Sequence, residues 1–244
     1  MLRTTFALGF LTLAGCHFPL HDHLVVDGVK LEHHHEEVLT LESWPENGLV
    51  IEARRGDVRV ERAEGPTTVR VEVHERAPGE GHVHIDGGRL VARAANGAAC
   101  AIGEVLVRTS GPAKGLVLTT GMGDVTLTGI LAEGKLVLTT GMGDVLVLGI
   151  GSPERIELAS GMGDVRVRGA RCARLSADTG MGDIELEDVE AESAQLECGM
   201  GDVEVTRSRG GRLEASSGMG DVEVMESSFA TNALDTGLGS VRQR

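Results

Sequence analysis

Apolar or small residues alternate with polar ones along most of the chain, in short runs that flank a recurring glycine-rich motif. Leu116, Leu118 and Thr120 occupy every second position before the first copy of the motif, and Val125 and Leu127 do so after it. A two-residue period places such residues on one face of a β-strand. The pattern therefore predicts two short strands per repeat, each with one buried face.

The motif is Gly-Met-Gly-Asp followed by Val or Ile, and it occurs six times. Its copies begin at Gly121, Gly141, Gly161, Gly180, Gly199 and Gly218, with an altered copy at Gly237. Successive copies are 19 or 20 residues apart. A fixed short period is typical of a solenoid, in which each repeat stacks on the next. The sequence thus predicts an all-β fold, a parallel β-solenoid (β-helix-like) with 19–20-residue coils and Gly-Met-Gly-Asp-Val corners.

Stacked coils bring equivalent residues into ladders. We expect the residue directly before each motif to form a small-residue ladder that faces inward: Thr120, Thr140, Ser160, Thr179, Cys198, Ser217 and Thr236. The glycines of the motif can adopt the positive φ that a tight corner requires. Outward positions, such as Thr126, Leu146 and Arg166, vary from repeat to repeat, as solvent-facing sites should.

Composition narrows the choice of function. The 244 residues include 35 Gly, four Phe, one Trp and no Tyr. Stacking platforms for nucleic-acid bases and the aromatic girdles of an outer-membrane barrel are therefore missing. A net charge of −14 also argues against nucleic acid as a partner. The 41% hydrophobic content is sufficient for an aliphatic core and argues against disorder.

The N-terminus predicts export and lipidation. Residues 1–15 have the charge and short apolar core of a signal peptide. The segment Leu13-Ala14-Gly15-Cys16 resembles the lipobox of bacterial lipoproteins, which implies an acylated Cys16 and a membrane partner. His17 follows where inner-membrane retention would need Asp, so the resemblance implies a lipid-anchored protein of the bacterial outer membrane. We expect residues 16–44 to be a His-rich tether, with one strand at 38–41, and residues 45–244 to form the solenoid.

The chain also resembles a bacterial protein family. Gly56-Asp57-Val58, then Val105–Arg108 with Pro112, then Leu116–Asp124 and the repeated Gly-Asp-Val turns are similar to the putative-adhesin family. The resemblance covers most of residues 48–244. It implies a β-solenoid domain and brings no catalytic residues or cofactor with it.

The repeats predict an aspartate ladder, which consists of Asp124, Asp144, Asp164, Asp183, Asp202 and Asp221. Neighbouring carboxylates would lie roughly 5 Å apart, which is the spacing of the acid pair in a retaining glycosidase. The same pair would recur on every coil, however, so we expect solvent-facing aspartates that bond to the corner backbone. Calcium held between them is an alternative.

They also predict a methionine ladder, which consists of Met122, Met142, Met162, Met181, Met200 and Met219. Leu238 takes the equivalent place in the altered copy, which keeps the size and loses the thioether. We therefore favour apolar packing, then an exposed apolar stripe for a partner, then Cu(I) ligation.

Histidines cluster near the N-terminus. The candidate metal ligands are His21, His23, His33, His34 and His35, although we favour a hydrophilic tether with adventitious metal binding over a dedicated site. Cys100, Cys172 and Cys198 remain after lipidation of Cys16, and their odd number predicts no specific disulfide.

Three functions are open at this point. The first is a non-enzymatic envelope lipoprotein that presents a repetitive surface to an envelope protein or glycan, with end-to-end self-association as a further option. The second is an envelope metal-binding protein that uses the tether histidines and the methionine ladder. The third is an enzyme that acts on polysaccharide, which would need a cleft with a unique acid–base pair.

Overall fold

The computed structural model describes residues 24–26, 28–94, 96–151 and 153–244. Within these ranges the chain forms 23 strands and no helix, and so no helix that could span a membrane. The predicted signal peptide, Cys16, His21 and His23 lie outside the described residues.

The strands follow one another at short intervals. Their bounds are β1 (Leu24–Val26), β2 (Val29–Leu31), β3 (His33–Leu41), β4 (Leu49–Ala53), β5 (Val58–Arg62), β6 (Thr67–Glu75), β7 (Gly81–Asp86), β8 (Arg89–Ala94), β9 (Cys100–Thr109), β10 (Ala113–Met122), β11 (Val125–Thr128), β12 (Ala132–Met142), β13 (Val145–Leu148), β14 (Arg155–Met162), β15 (Val165–Arg168), β16 (Arg171–Met181), β17 (Ile184–Glu187), β18 (Glu190–Met200), β19 (Val203–Thr206), β20 (Arg209–Met219), β21 (Val222–Met225), β22 (Ser228–Leu238) and β23 (Val241–Gln243).

Two sheets hold nearly all of these strands. The order in the ten-stranded sheet is β22-β20-β18-β16-β14-β12-β10-β4-β8-β7. The order in the eleven-stranded sheet is β23-β21-β19-β17-β15-β13-β11-β5-β9-β6-β3. From β10 onward each coil contributes one long strand to the first sheet and one short strand to the second, which gives seven consecutive parallel coils. The predicted all-β parallel solenoid is confirmed.

A single aliphatic core lies between the sheets. The two-residue period sends one side chain of each pair inward, and the parallel register stacks equivalent side chains. Leu116 lies beside Leu136, which lies beside Ile156, and none of the three is exposed to solvent. The core continues through such rows from Leu49 to Val224.

Glycine is required at the corners because successive coils approach closely. A Cβ atom on Gly141 would lie 2.6 Å from the carbonyl oxygen of Gly121 in the preceding coil. Gly143 has a φ of 137°, and a Cβ atom there would overlap the carbonyl oxygen of Gly123. The corner therefore accepts no side chain at either position, which explains the repeated Gly-x-Gly.

The first coils are covered by a cap that contains antiparallel strands. After β5 the chain leaves the stack, forms β6 and β7, and returns through β8 and β9 beneath β4 and β5. Strand β3 pairs antiparallel with β6 over nine residues and forms the outer edge of the second sheet. The cap closes this end of the solenoid.

This cap corrects the predicted tether. Three strands, β1 to β3, lie within residues 24–41, so the part of the 16–44 segment that the structure describes is mostly sheet. The expected strand at 38–41 begins five residues earlier, at His33. The physical reason is that one face of β3 is covered only partly. Polar residues such as His35 and Glu37 lie on that face while Val38 is exposed, so the apolar alternation is lost.

Candidate functional site

The methionine ladder is on the surface of the solenoid. Its six side chains are each 40–46% exposed, and each methionine is paired in register with the methionine of the next coil. Leu238 extends the row and is 69% exposed. The favoured expectation of core packing is therefore wrong, and the ladder is an exposed apolar row.

Core packing was expected because Leu238 takes the same place in the altered copy, and the break in strand alternation at the corner gave no guide to the direction of the side chain. Leu116, Leu118 and Thr120 face inward at every second position, so strict alternation would also bury Met122. The chain turns at Gly121 instead, and both Gly121 and Met122 are exposed. The same two exposed residues end every long strand from β10 to β22.

The aspartate ladder bonds to the backbone beside the methionines. The amide N–H of Asp144 donates to Oδ1 of Asp124 at 2.9 Å, and the same bond recurs from coil to coil. The series starts at Asp57 and passes through all six aspartates to the amide of Ser240, with distances of 2.7–2.9 Å. This bond lowers the pKa of Asp221, with the Ser240 amide as its chief cause. Each of these carboxylates therefore joins two successive coils.

The small-residue ladder faces inward at the same corner. The hydroxyl of Thr140 donates to the carbonyl oxygen of Gly123 at 2.8 Å. Equivalent bonds of 2.7–2.9 Å are made by Thr120, Ser160, Thr179, Ser217 and Thr236. Cys198 substitutes a thiol, whose Sγ donates to Gly182 at 3.1 Å. Hydrogen bonds between coils therefore explain the small polar residue and the aspartate of each corner, and the close approach of the coils explains its two glycines.

The methionine is the one corner residue that neither a hydrogen bond nor the close approach of the coils explains. It makes no hydrogen bond in the described structure, and it is partly solvent-exposed. Other outward positions on the same coils have diverged: Val117, Val137, Glu157, Ser176, Gln195, Glu214 and Ala233 occupy one row, and Thr126, Leu146, Arg166, Glu185, Glu204, Glu223 and Arg242 occupy another. If the methionines were identical only because the repeats arose by duplication, the residues of those two rows would be identical as well. The six methionines are therefore the candidate site on this surface.

Charged groups flank the ladder in the middle coils. Arg166 contacts Asp144 at 3.4 Å, Asp164 at 2.5 Å and Glu185 at 3.3 Å. A shallow groove of about 300 Å³ runs between Asp124, Leu146 and this arginine. On the opposite corner a second shallow groove of about 540 Å³ crosses several coils. Both grooves follow the repeat and extend over more than one coil.

Three of the five candidate histidines, His33, His34 and His35, lie on the cap strand β3. Alternation separates His34 from His35, and the two rings contact different carboxylates. Nε2 of His34 lies 3.7 Å from Glu72, and Nδ1 of His35 lies 3.1 Å from Glu75. His33 is exposed. No group of three His, Cys, Asp or Glu side chains with metal-binding geometry occurs among the residues that the structure describes.

Glu75 organises the cap, and sequence reasoning missed it. Its side chain is buried and accepts the amide N–H of Gly79 at 2.7 Å and of Gly81 at 2.8 Å. Burial alone would raise the pKa of Glu75, but these two amides and His35 outweigh it and lower the pKa. Glu37 bridges similarly from β3 to His82 and to the amide of Val83 on β7. The tertiary fold brings these partners to Glu75 and Glu37, and no sequence motif marks such contacts.

Comparisons with known proteins agree with this architecture. Residues 152–242 match the Toastrack DUF4097 family. The Toastrack match covers the later coils, which hold four complete copies of the motif and the altered copy at Gly237. The predicted resemblance to putative-adhesin solenoids is thereby confirmed.

Solved structures extend the likeness beyond the Toastrack match. A putative adhesin from Bacteroides fragilis has a TM-score of 0.56 at 13% identity, over 87% of this chain and 98% of its own. A putative adhesin from Parabacteroides merdae has a TM-score of 0.47 at 12% identity, over 87% of this chain and 97% of its own. No curated protein matches the chain. At these identities the first likeness shows a shared fold.

Proposed function

We propose that the protein is a non-enzymatic lipoprotein of the bacterial cell envelope, which adheres to a protein or glycan partner through the methionine ladder. The observation that carries this proposal is the ladder itself: six identical apolar side chains at a solvent-exposed position, on coils whose other outward positions vary. Exposed apolar rows of this kind are typical of interaction surfaces. The adhesin names of the structural neighbours are consistent with that role.

The mechanism is multivalent contact. Neighbouring methionines lie one strand spacing apart, about 4.8 Å, so the ladder offers the same group at a regular pitch. Each single contact is weak, but a partner that engages several rungs at once gains effective concentration. Methionine suits such a surface because its unbranched, polarizable side chain adapts to irregular shapes. The adjacent aspartates surround the apolar row with negative charge and favour a partner with complementary cations.

The cap orients the ladder away from the predicted anchor. Strand β3 forms the outer edge of one sheet at the cap, and the chain enters the fold at this end, after the predicted lipidation site at Cys16. Seven parallel coils follow and extend for roughly 30 Å. An acyl chain contributes about 0.8 kcal/mol for each buried CH₂ group, and several chains on Cys16 would give stable membrane attachment. The coils would then project from the membrane.

Adhesion is tested with beads that carry the purified chain, presented to surfaces coated with bacterial envelope extract and to a glycan array. The ladder variant is Met142→Gln/Met162→Gln/Met181→Gln. The matched control is Thr139→Gln/Ala159→Gln/Asp178→Gln. It has as many glutamines on the same three coils, each placed three residues before the methionine of its coil. We expect at least tenfold weaker bead retention for the ladder variant and near wild-type retention for the control. Equal retention of both variants would overturn the proposal.

The anchor is tested separately in cells. Wild-type protein should incorporate an alkyne-labelled fatty acid and fractionate with the outer membrane. The Cys16→Ser variant should lose the label and leave the membrane fraction, because the acylated side chain is gone. Labelling that persists in the Cys16→Ser variant would contradict lipidation at this residue.

A further inference from the structure

The methionine ladder retains sulfur where apolarity alone would accept other residues. One core row of the same coils exchanges its apolar residues: Leu116, Leu136, Ile156, Leu175, Ala194 and Leu213. The exposed row stays methionine through six consecutive coils. Leu238 shows that the backbone accepts leucine at this position. A requirement for any apolar side chain would therefore have allowed leucine, so the repetition points to the thioether.

The register brings these thioethers within reach of a shared ion. Met142 lies directly between Met122 and Met162 on neighbouring parallel strands. The strand spacing is about 4.8 Å, and each long, unbranched side chain has three rotatable bonds with which to place its sulfur. Since the side chains are partly exposed, their sulfur atoms can turn toward a ligand without disturbing the core. Two or three adjacent thioethers can thus converge on one point.

Thioether sulfur is a soft, neutral ligand that selects Cu(I) over harder ions such as Zn²⁺ or Ca²⁺. We propose that the methionine ladder is a Cu(I)-binding site, in which each ion is held by the thioethers of two or three neighbouring coils. Six methionines, taken in pairs or threes, accommodate three or two ions. The aspartate ladder runs two residues away on every coil and gives the site a negative potential that attracts the cation. This inference uses the same side chains as the proposed adhesion but does not depend on it.

The two buried cysteines do not offer a competing site of the same kind. Cys172 and Cys198 are buried, and desolvation raises the pKa of Cys172 to about 11. Metal binding by a cysteine needs the thiolate, so this side chain is protonated and enclosed at neutral pH. The methionine ladder, in contrast, needs no deprotonation and is accessible from solvent.

Two variants of equal composition test the role of neighbouring thioethers. The block variant Met122→Leu/Met142→Leu/Met162→Leu leaves three adjacent methionines, Met181, Met200 and Met219. The alternating variant Met122→Leu/Met162→Leu/Met200→Leu also leaves three methionines, but each then has only leucine beside it. A third variant replaces all six methionines by leucine and reports what cysteines and histidines bind. Circular dichroism checks that all variants retain the wild-type β-structure.

The full chain is titrated anaerobically with Cu(I) in competition with a chromogenic Cu(I) chelator, while the methionine methyl signals are followed by NMR. Above the six-leucine background, we expect two to three ions for wild type, one for the block variant and none for the alternating variant. The proposal is overturned if the block and alternating variants bind equally, or if the wild type binds no more than the six-leucine variant. Failure of this test leaves adhesion intact, since leucine keeps the row apolar and only the glutamine variant removes it.

Discussion

At the scale of the residue, each position of the corner has its own physical requirement. The first glycine avoids a backbone clash, the second combines that with a positive φ, and the aspartate accepts an amide from the next coil. The preceding threonine returns a hydroxyl to the second glycine of the previous coil. Only the methionine faces solvent without an internal partner, which is why it is the candidate for function.

A side chain at the second glycine should disrupt the stack. Gly143→Ala places a Cβ atom against the carbonyl oxygen of Gly123 and holds alanine at a φ of 137°. Backbone strain of this kind costs about 1–3 kcal/mol, and the clash adds to it. We expect a loss of at least 2 kcal/mol in the free energy of unfolding, measured by urea denaturation. Gly134→Ala, at a positive-φ glycine with open space around it, isolates the strain from the clash and should cost less. Equal losses would contradict the close-approach argument.

The hydrogen bonds of the aspartate ladder need an acceptor oxygen on the side chain and do not need its negative charge. Asp144→Asn keeps an oxygen that can accept the amide of Asp164, whereas Asp144→Ala removes it. A hydrogen bond of this kind contributes about 0.5–1.5 kcal/mol, or more when the acceptor is charged. We expect the alanine variant to lose about 1–2 kcal/mol and the asparagine variant clearly less, by the same unfolding measurement. An asparagine variant as unstable as the alanine variant would show that the carboxylate acts through its charge.

At the scale of the element, the cap is where sequence patterns failed. Strand β3 contains three histidines and two glutamates in its first five residues, and this polar composition masked a strand of nine residues. Alternation correctly predicted that Leu116, Leu118 and Thr120 face inward, because more exposed residues separate these buried ones along the strand. Met122 was misplaced because Leu238 in the altered copy favoured apolar packing, while the alternation stops at the Gly121 corner and cannot assign a direction to the next side chain. Partners brought together by loops, such as Glu75 with Gly79, are set by tertiary geometry alone.

Glu75 should make the cap sensitive to acid. Its pKa is lowered in the folded chain, so its contribution is present above the unfolded value of about 4.3 and is lost as the pH falls through the folded value. Glu75→Gln should therefore destabilise the protein at pH 7, by about 1.5–3 kcal/mol for a buried charged acceptor. At pH 3 the difference between wild type and variant should be smaller, because Glu75 is then mostly protonated in the unfolded chain and part of the stability that its lowered pKa contributes is lost.

Urea midpoints at the two pH values measure this effect. Glu192→Gln, an exposed glutamate on β18, serves as the control and should match wild type at both pH values. A Glu75→Gln variant whose deficit is as large at pH 3 as at pH 7 would mean that the buried charge is not responsible.

At the scale of the whole molecule, the repeat made the architecture predictable. A fixed period, a two-residue alternation and paired glycines all require the same stacked arrangement, so their agreement identified the solenoid and its corners. The partner remained open because the repeat defines a surface and not a ligand. Equivalent side chains on every coil give periodic contacts but no single distinctive cleft.

Removal of one whole coil tests how independent the coils are. Deletion of residues 161–179 joins Ser160 to Gly180, and Ser160 is already paired in register with Thr179. The new neighbours are chemically equivalent to the old ones, so we expect a folded β-protein with a somewhat lower unfolding midpoint. Deletion of residues 161–170, about half a coil, shifts the register and should abolish cooperative unfolding. Circular dichroism and urea denaturation compare the two, and similar behaviour of both deletions would contradict nearest-neighbour stacking.

The parallel in-register stack affects how the number of coils can change in evolution. Because every interior coil meets the same surface above and below, the number of coils can change without a new corner, core or binding group having to be invented. Each added repeat would lengthen the molecule by about 4.8 Å and add one more copy of its surface chemistry. Length and number of surface groups would then increase together, in equal steps, by duplication of a single segment of the gene.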